Sequence, residues 1–226
     1  MPGLDPGIHQ NEDFLQERWI AGSSSPAMTA EKVTMRISLI GTLIMAFACS
    51  SPSYAADVAA GKEKAEICAG CHGDNGISQT ENIPSLAGQP DQFIQWQLVY
   101  FRAGGRKNEQ MQPIVEQLNN EDIRDLGAYF SSLTPPKGPK DDDPDLSEKG
   151  SQAAAGRHCA SCHTDNYAGT KAVARVAGQR EEYLIKALHD YKSGVRSGGG
   201  QAAMADVAYP LSEEEITALA HYLAHL

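Results

Sequence analysis

The sequence predicts an all-α protein made of two copies of one small helical domain. Three observations lead there. A Cys-x-x-Cys-His motif occurs twice, the segments around it repeat in register, and apolar residues recur at helical spacing with no convincing run of period two.

The repeat is specific. Cys68-Ala69-Gly70-Cys71-His72 returns 91 residues later as Cys159-Ala160-Ser161-Cys162-His163. Leu86-Ala87-Gly88-Gln89 returns as Val176-Ala177-Gly178-Gln179 at an offset of 90. Phe93, Leu98 and Phe101 align with Tyr183, Leu188 and Tyr191 at that offset, and Ile123, Leu126 and Tyr129 with Ile216, Leu219 and Tyr222 at 93. The slow drift fits a tandem duplication with small loop changes; two copies are too few for a solenoid.

The elements follow in order. Residues 1–34 are rich in Gly, Pro and Ser and lack sustained periodicity, so they read as a spurious or disordered extension ahead of the true start. Met35-Arg36, the apolar run Ile37 to Ala48 and the small residues around Ser53-Tyr54-Ala55 make 35–55 a signal peptide, cut before Ala56 or Asp57. The run is short for a membrane span, which disfavours an uncleaved anchor. Cys49 lies inside it; a lipoprotein reading wants a branched aliphatic where Ala46 stands.

The first domain is expected over 57–133. It holds a short helix from Ala59 to Ala69, a helix from Gln92 to Arg102 with Phe93, Trp96, Tyr100 and Phe101 along one face, and a helix from Asn120 to Leu133 with Ile123, Leu126 and Phe130 inward. The aromatic face reads as core. Residues 134–147 carry four prolines and four aspartates, a poor fit to a helix and a good fit to a solvated linker. A docking patch or weak cation site is the alternative reading of Asp141, Asp142, Asp143 and Asp145. The second domain, 148–226, ends in a helix capped by Ser212, with Glu213 to Glu215 at its positive end.

The net charge is −10 for the whole chain and −8 once 1–55, with three basic and five acidic residues, is removed. Such a surface repels nucleic acid and favours redox partners with basic docking faces.

Cys-x-x-Cys-His is the attachment signature of haem c. Two thiols on one helical turn each add to a porphyrin vinyl group, and the adjacent imidazole points at the iron. Cys68, Cys71, Cys159 and Cys162 are therefore the covalent attachment points of two haem c groups, with His72 and His163 as proximal iron ligands. A thioredoxin-like pair would need a βαβ context, and a four-thiolate zinc site would need both motifs folded together. After cleavage only Met111 and Met204 remain as methionines, 39 and 41 residues after the two histidines. One per repeat marks them as sixth ligands. A soft thioether raises the potential and closes the iron to other ligands. No catalytic residue is expected. His158, His189, His221 and His225 lack histidine equivalents in the first repeat and read as surface residues.

These motifs, the paired Ala-Gly-Gln segments and the two late methionines resemble the di-haem cytochromes c, specifically the cytochrome c-four group. The resemblance covers 57–226. It implies two class I cytochrome c domains related by a pseudo-two-fold, one covalent haem in each, working in the periplasm by outer-sphere one-electron transfer. It implies electron traffic between quinol-oxidising complexes and membrane-bound oxidases or reductases. Closely similar chains serve as haem subunits of flavin-dependent sulfide dehydrogenases, and a haem enzyme with an open iron is a more remote alternative. One departure stands out. The family's proline before Ala-Gly-Gln, whose carbonyl orients the proximal His, is matched by Pro84 but replaced by Ala174 in the second repeat, so the two haems are expected to differ in potential.

Overall fold

The computed structural model describes residues 55–226. The expectations placed on 1–54, including nearly all of the signal segment and Cys49, lie outside the described residues. Within 55–226 the chain is helical, and the only β pairing among the described residues is an isolated bridge between Thr170 and Val173.

The first domain opens with α1 (Val58–Lys64), capped by the Asp57 carboxylate on the amides of Ala59 and Ala60. A break at Ala65 separates it from α2 (Glu66–His72), so the single helix expected over Ala59 to Ala69 is two. There follow α3 (Asp91–Arg102), a short α4 (Gln112–Val115) and α5 (Asn120–Ser132). The second domain repeats this plan with α6 (Pro144–Gly156), α7 (Ala160–His163), α8 (Glu181–Lys192), α9 (Ala202–Ala208) and α10 (Glu213–Ala224).

In each domain the first and last helices cross at close range, and a glycine makes that possible. A Cβ on Gly61 would sit 2.1 Å from the carbonyl oxygen of Asp125 in α5. A Cβ on Gly150 would sit 2.1 Å from that of Ala218 in α10. An ion pair clasps each crossing: Lys64 to Asp122 at 2.9 Å, and Arg157 to both oxygens of Glu215 at 2.8 and 3.0 Å. Asp122 and Glu215 also complete the capping boxes begun by Asn119 and Ser212, so one carboxylate caps its helix and pins the crossing.

The cores are separate. Ile94, Ile123, Leu126, Tyr129 and Phe130 gather in the first domain; Leu184, Tyr191, Ile216, Leu219 and Leu223 gather in the second. The buried face of α3 differs from the expected one. Ile94, Gln97 and Phe101 point inward, while Trp96 is 42% exposed and stacks on Tyr100. Ile94 packs on α5, while Gln97 and Phe101 turn toward Arg106, so the inward face follows those partners and not the aromatic residues. The linker is also less free than expected. Asp143 caps α6, whose first turn takes up Pro144 to Ser147, because proline is well tolerated at the first helical position. Ahead of it, Pro135 lies against Gly88, and the Pro136 carbonyl against Gly178.

Candidate functional site

Each Cys-x-x-Cys-His motif occupies one helical turn with its histidine last. Cys68, Cys71 and His72 lie on α2, and α7 carries Cys162 and His163 with Cys159 as its cap. None of these four cysteines is in a disulfide. Burial pushes the Cys68 thiol up to about 11, helped by Cys71, and raises Cys159 as well. α2 stops because Gly73 takes φ 81 and ψ 152, where a Cβ would fall 2.2 Å from the Ile77 carbonyl oxygen.

The histidines are oriented alike. His72 Nδ1 donates to the Pro84 carbonyl at 2.8 Å, and His163 Nδ1 donates to the Ala174 carbonyl at 2.8 Å. Replacing proline by alanine has left the carbonyl in place. Burial lowers the pKa of both rings, and Arg106 lowers that of His72 further. A neutral ring with Nδ1 committed leaves the Nε2 lone pair to bind a metal. Each methionine lies after the third helix of its repeat, beyond α3 or α8. Met111 precedes α4, its amide held at 2.9 Å by the Asn108 side chain. Met204 lies within α9 and packs on the second core.

Between the domains the two Ala-Gly-Gln segments exchange hydrogen bonds. Gln179 accepts from the Ser85 amide at 2.8 Å and donates to the Ser85 carbonyl at 2.9 Å. Gln89 accepts from the Arg175 amide at 3.0 Å and donates to the Arg175 carbonyl at 2.8 Å. Ser85 follows Pro84 and Arg175 follows Ala174. Each glutamine therefore braces the loop that orients the other domain's histidine. Sequence reading found these glutamines as a repeat but assigned them no role.

A second cluster was not foreseen. Arg106 and Arg196, at equivalent places in the two repeats, both donate to Gln97 Oε1, at 2.7 and 2.9 Å, and to the Tyr183 hydroxyl, at 3.2 and 3.5 Å. Each guanidinium also lies 4.4 Å from an equivalent ring, Phe101 or Tyr191. Among the described residues neither forms a salt bridge. Burial would raise the Tyr183 phenol, but the two guanidiniums outweigh it and bring it down to about 8. Such an excess of buried positive charge calls for anions. Unpaired thiols, an imidazole with a free Nε2 and unpaired guanidiniums together fit haem c, whose vinyls, iron and carboxylates match them in turn.

The surface expectation for the remaining histidines fails at two positions. His221 is 4% exposed and His225 has a side chain only 8% exposed, because both lie on the inner side of α10 beneath the linker.

The pattern that defines the family described as Cytochrome c matches residues 58–134 and again 147–226. The chain belongs to the cytochrome c family. Within it, this di-haem cytochrome is similar to cytochrome c4 of Azotobacter vinelandii, with 33% identity over 205 residues, 82% of this chain and 97% of the relative. Its structure matches that of reduced recombinant cytochrome c4 from Pseudomonas stutzeri with a TM-score of 0.71 and 32% identity, covering 76% of this chain and 100% of the other. It is also 28% identical over 204 residues to a thiosulfate dehydrogenase electron acceptor of Thiomonas intermedia, covering 84% of this chain and 90% of the relative. The chain is thus a di-haem electron carrier of the cytochrome c4 type, with two covalently bound haem c groups, one for each motif. No helix among the described residues is long and apolar enough to cross a membrane.

Proposed function

We propose that the chain is exported to the periplasm, is cut near residue 56 and works there as a two-domain electron shuttle, with domains at 57–133 and 148–226. Cys68, Cys71, Cys159 and Cys162 carry the thioether bonds. His72 and Met111 ligate one iron, His163 and Met204 the other. Bound in this way, the haems supply one-electron exchange at iron.

The observation that carries this reading is the pair of equal Nδ1 bonds to Pro84 and Ala174. They fix the tautomer and the ring plane of both proximal histidines before any electron moves. A site held so firmly exchanges charge with little rearrangement. Gln89 and Gln179 keep the two orienting loops in register with each other. Arg106 and Arg196, buried and without carboxylate partners among the described residues, would supply the positive charge that haem carboxylates need. The acidic surface steers the carrier to partners with basic faces.

A visible spectrum tests the ligation. The oxidised protein is expected to show the far-red methionine–iron band for two haems, and the reduced spectrum to stay unchanged under carbon monoxide. Met111→Ala and Met204→Ala are each expected to remove half of that band, open one iron to the gas, and lower one potential by on the order of 0.1 V, within the roughly 0.8 V that axial ligands span. Gas binding by the unmodified protein would return the enzyme reading.

A second reading rests on the Thiomonas intermedia relative, named as the electron acceptor of a thiosulfate dehydrogenase. In that reading the same chain takes electrons from one dehydrogenase partner. Stable co-purification with a dehydrogenase from the native source would favour it over the free shuttle.

A further inference from the structure

Three side chains outside the haem sites converge beneath the linker. His221 and His225 are one turn apart on α10, and their rings lie 4.1 Å apart between centroids. Asp142 faces both, with Oδ1 at 4.0 Å from His221 Nε2 and 3.8 Å from His225 Nε2. Asp141 comes closer, with Oδ1 at 3.2 Å from His221 Nε2. One ligand atom from each of Asp142, His221 and His225 lies within 4.8 Å of the others.

The other ring nitrogens are already committed. His225 Nδ1 donates to the His221 carbonyl at 2.7 Å, and His221 Nδ1 donates to Glu181 Oε2 at 3.2 Å. Both Nε2 atoms face the aspartates; that of His221 already bonds Asp141 Oδ1, so an ion binding there takes the place of the ring proton. A carbonyl or carboxylate behind each ligating imidazole is the usual support of a metal-binding histidine. The spacing also suits a small ion. Four ligands at about 2.0–2.1 Å in a tetrahedron stand about 3.3–3.4 Å apart. Asp142 Oδ1 stands 4.0 and 3.8 Å from the two Nε2 atoms, a little beyond that edge, so the exposed Asp142 side chain has only to draw in on the ion.

The aspartates are brought there by packing. A Cβ on Gly138 would fall 2.6 Å from the Ala224 carbonyl oxygen, so the linker runs tight against the end of α10. Asp142 is 85% exposed on its side chain and gives an ion a way in. In the first repeat Ala128 and Ser132 stand at the places of His221 and His225, so the cluster belongs to the second domain alone.

We propose that Asp142, His221 and His225 form a three-ligand binding site, completed by water, for a divalent transition-metal ion of the zinc class that fastens the interdomain linker to the second domain. Two imidazoles and a carboxylate are a borderline nitrogen–oxygen set suited to zinc and too nitrogen-rich for calcium or magnesium. The ion joins the linker, α10 and, through Glu181, the start of α8.

Titration of the chelator-treated, tag-free, oxidised holo-protein with zinc chloride, followed calorimetrically, tests this. One saturable equivalent per chain is expected. His225→Gln and Asp142→Asn are each expected to weaken it at least tenfold, with the haem spectrum unchanged. His221→Gln is expected to abolish it; should that buried substitution fail to fold, the other two carry the test. His189→Gln, at a half-exposed histidine 3.3 Å from Glu213, is expected to leave binding unaltered. The absence of saturable binding, or binding indifferent to both His225→Gln and Asp142→Asn, overturns the proposal.

Discussion

The two domains solve the same problem with different residues, and their differences separate what the site requires from what it merely tolerates. The orienting carbonyl is required: it comes from Pro84 in one domain and Ala174 in the other, at the same 2.8 Å. The ring bonded to it tolerates different surroundings. His72 is 7% exposed and has Arg106 acting on it; His163 is half-buried. The bracing glutamines differ too. Gln179 makes its bonds to Ser85 in full burial, whereas those of Gln89 are partly open to water.

Removing the glutamines probes this difference most strongly. Gln179→Ala leaves the Ser85 amide and carbonyl without these partners at a buried position, and is expected to cost about 2–4 kcal/mol. Gln89→Ala is expected to cost about 1–2 kcal/mol, because water can replace part of what it loses. Urea unfolding of the holo-protein measures both. Equal losses would mean that burial does not distinguish the two halves of the exchange.

The haem potentials come next. With the carbonyl bonds equal at 2.8 Å, burial and charge around each ring are the differences the structure offers. Deeper burial and the positive charge of Arg106 favour the ferrous state at the first site, so its potential is expected to be the higher. Each ~1 kcal/mol of Coulomb interaction is worth about 40 mV for one electron. Arg106→Gln is expected to narrow the gap in a spectroelectrochemical titration; a single indistinguishable potential in the unmodified protein would remove this account.

A smaller contrast concerns the residue after each proximal histidine. Gly73 accepts φ 81 at no steric cost, but Thr164 holds φ 70 and ψ 161, a region that belongs almost entirely to glycine. Such strain costs about 1–3 kcal/mol, and glycine's extra freedom when unfolded returns about 0.5–1 kcal/mol of it. Thr164→Gly is therefore expected to stabilise the second domain by about 1 kcal/mol in thermal unfolding. The reverse change, Gly73→Thr, is expected to destabilise the first. A threonine that can be exchanged for glycine without gain would show that its backbone is not strained.

The sequence was legible where chemistry imposes spacing. Two Cys-x-x-Cys-His motifs, the helix of Ile123 and Leu126, and the Ser212 cap all depend on a few residues at fixed intervals, and the fold follows from them. It was less legible where one domain meets the other. The bonds of Gln89 and Gln179 span 86 and 94 residues, and the pairing of Arg106 with Arg196 needs both repeats in place. Local periodicity contains no signal for such contacts. The repeated Gln and the repeated Arg, at one offset, were the only hints. The burial of His221 was hidden for the same reason, since the linker that covers it reads as solvated when taken alone.

The weakest contrast is between the two clasps, and it sets the response to acid. Asp122 is held below the usual carboxylate range because its bond from the Asn119 amide and its pairing with Lys64 outweigh desolvation. Glu215 is held down by the Ser212 amide and then by Arg157. A carboxylate whose folded pKa is depressed contributes stability that is complete above its unfolded value, near 4, and is lost as pH falls through the folded value. Both clasps should therefore weaken below about pH 4. Arg157 grips both oxygens of Glu215, whereas Lys64 meets Asp122 as a point charge, so the second clasp should persist to lower pH. Each is partly exposed and worth about 0.2–1 kcal/mol. In acid titrations followed by far-ultraviolet circular dichroism, Glu215→Gln is expected to flatten the acid limb of stability more than Asp122→Asn does. Equal effects would make the capping bond, common to both domains, the dominant part of the clasp, and the opposite order would overturn the ranking.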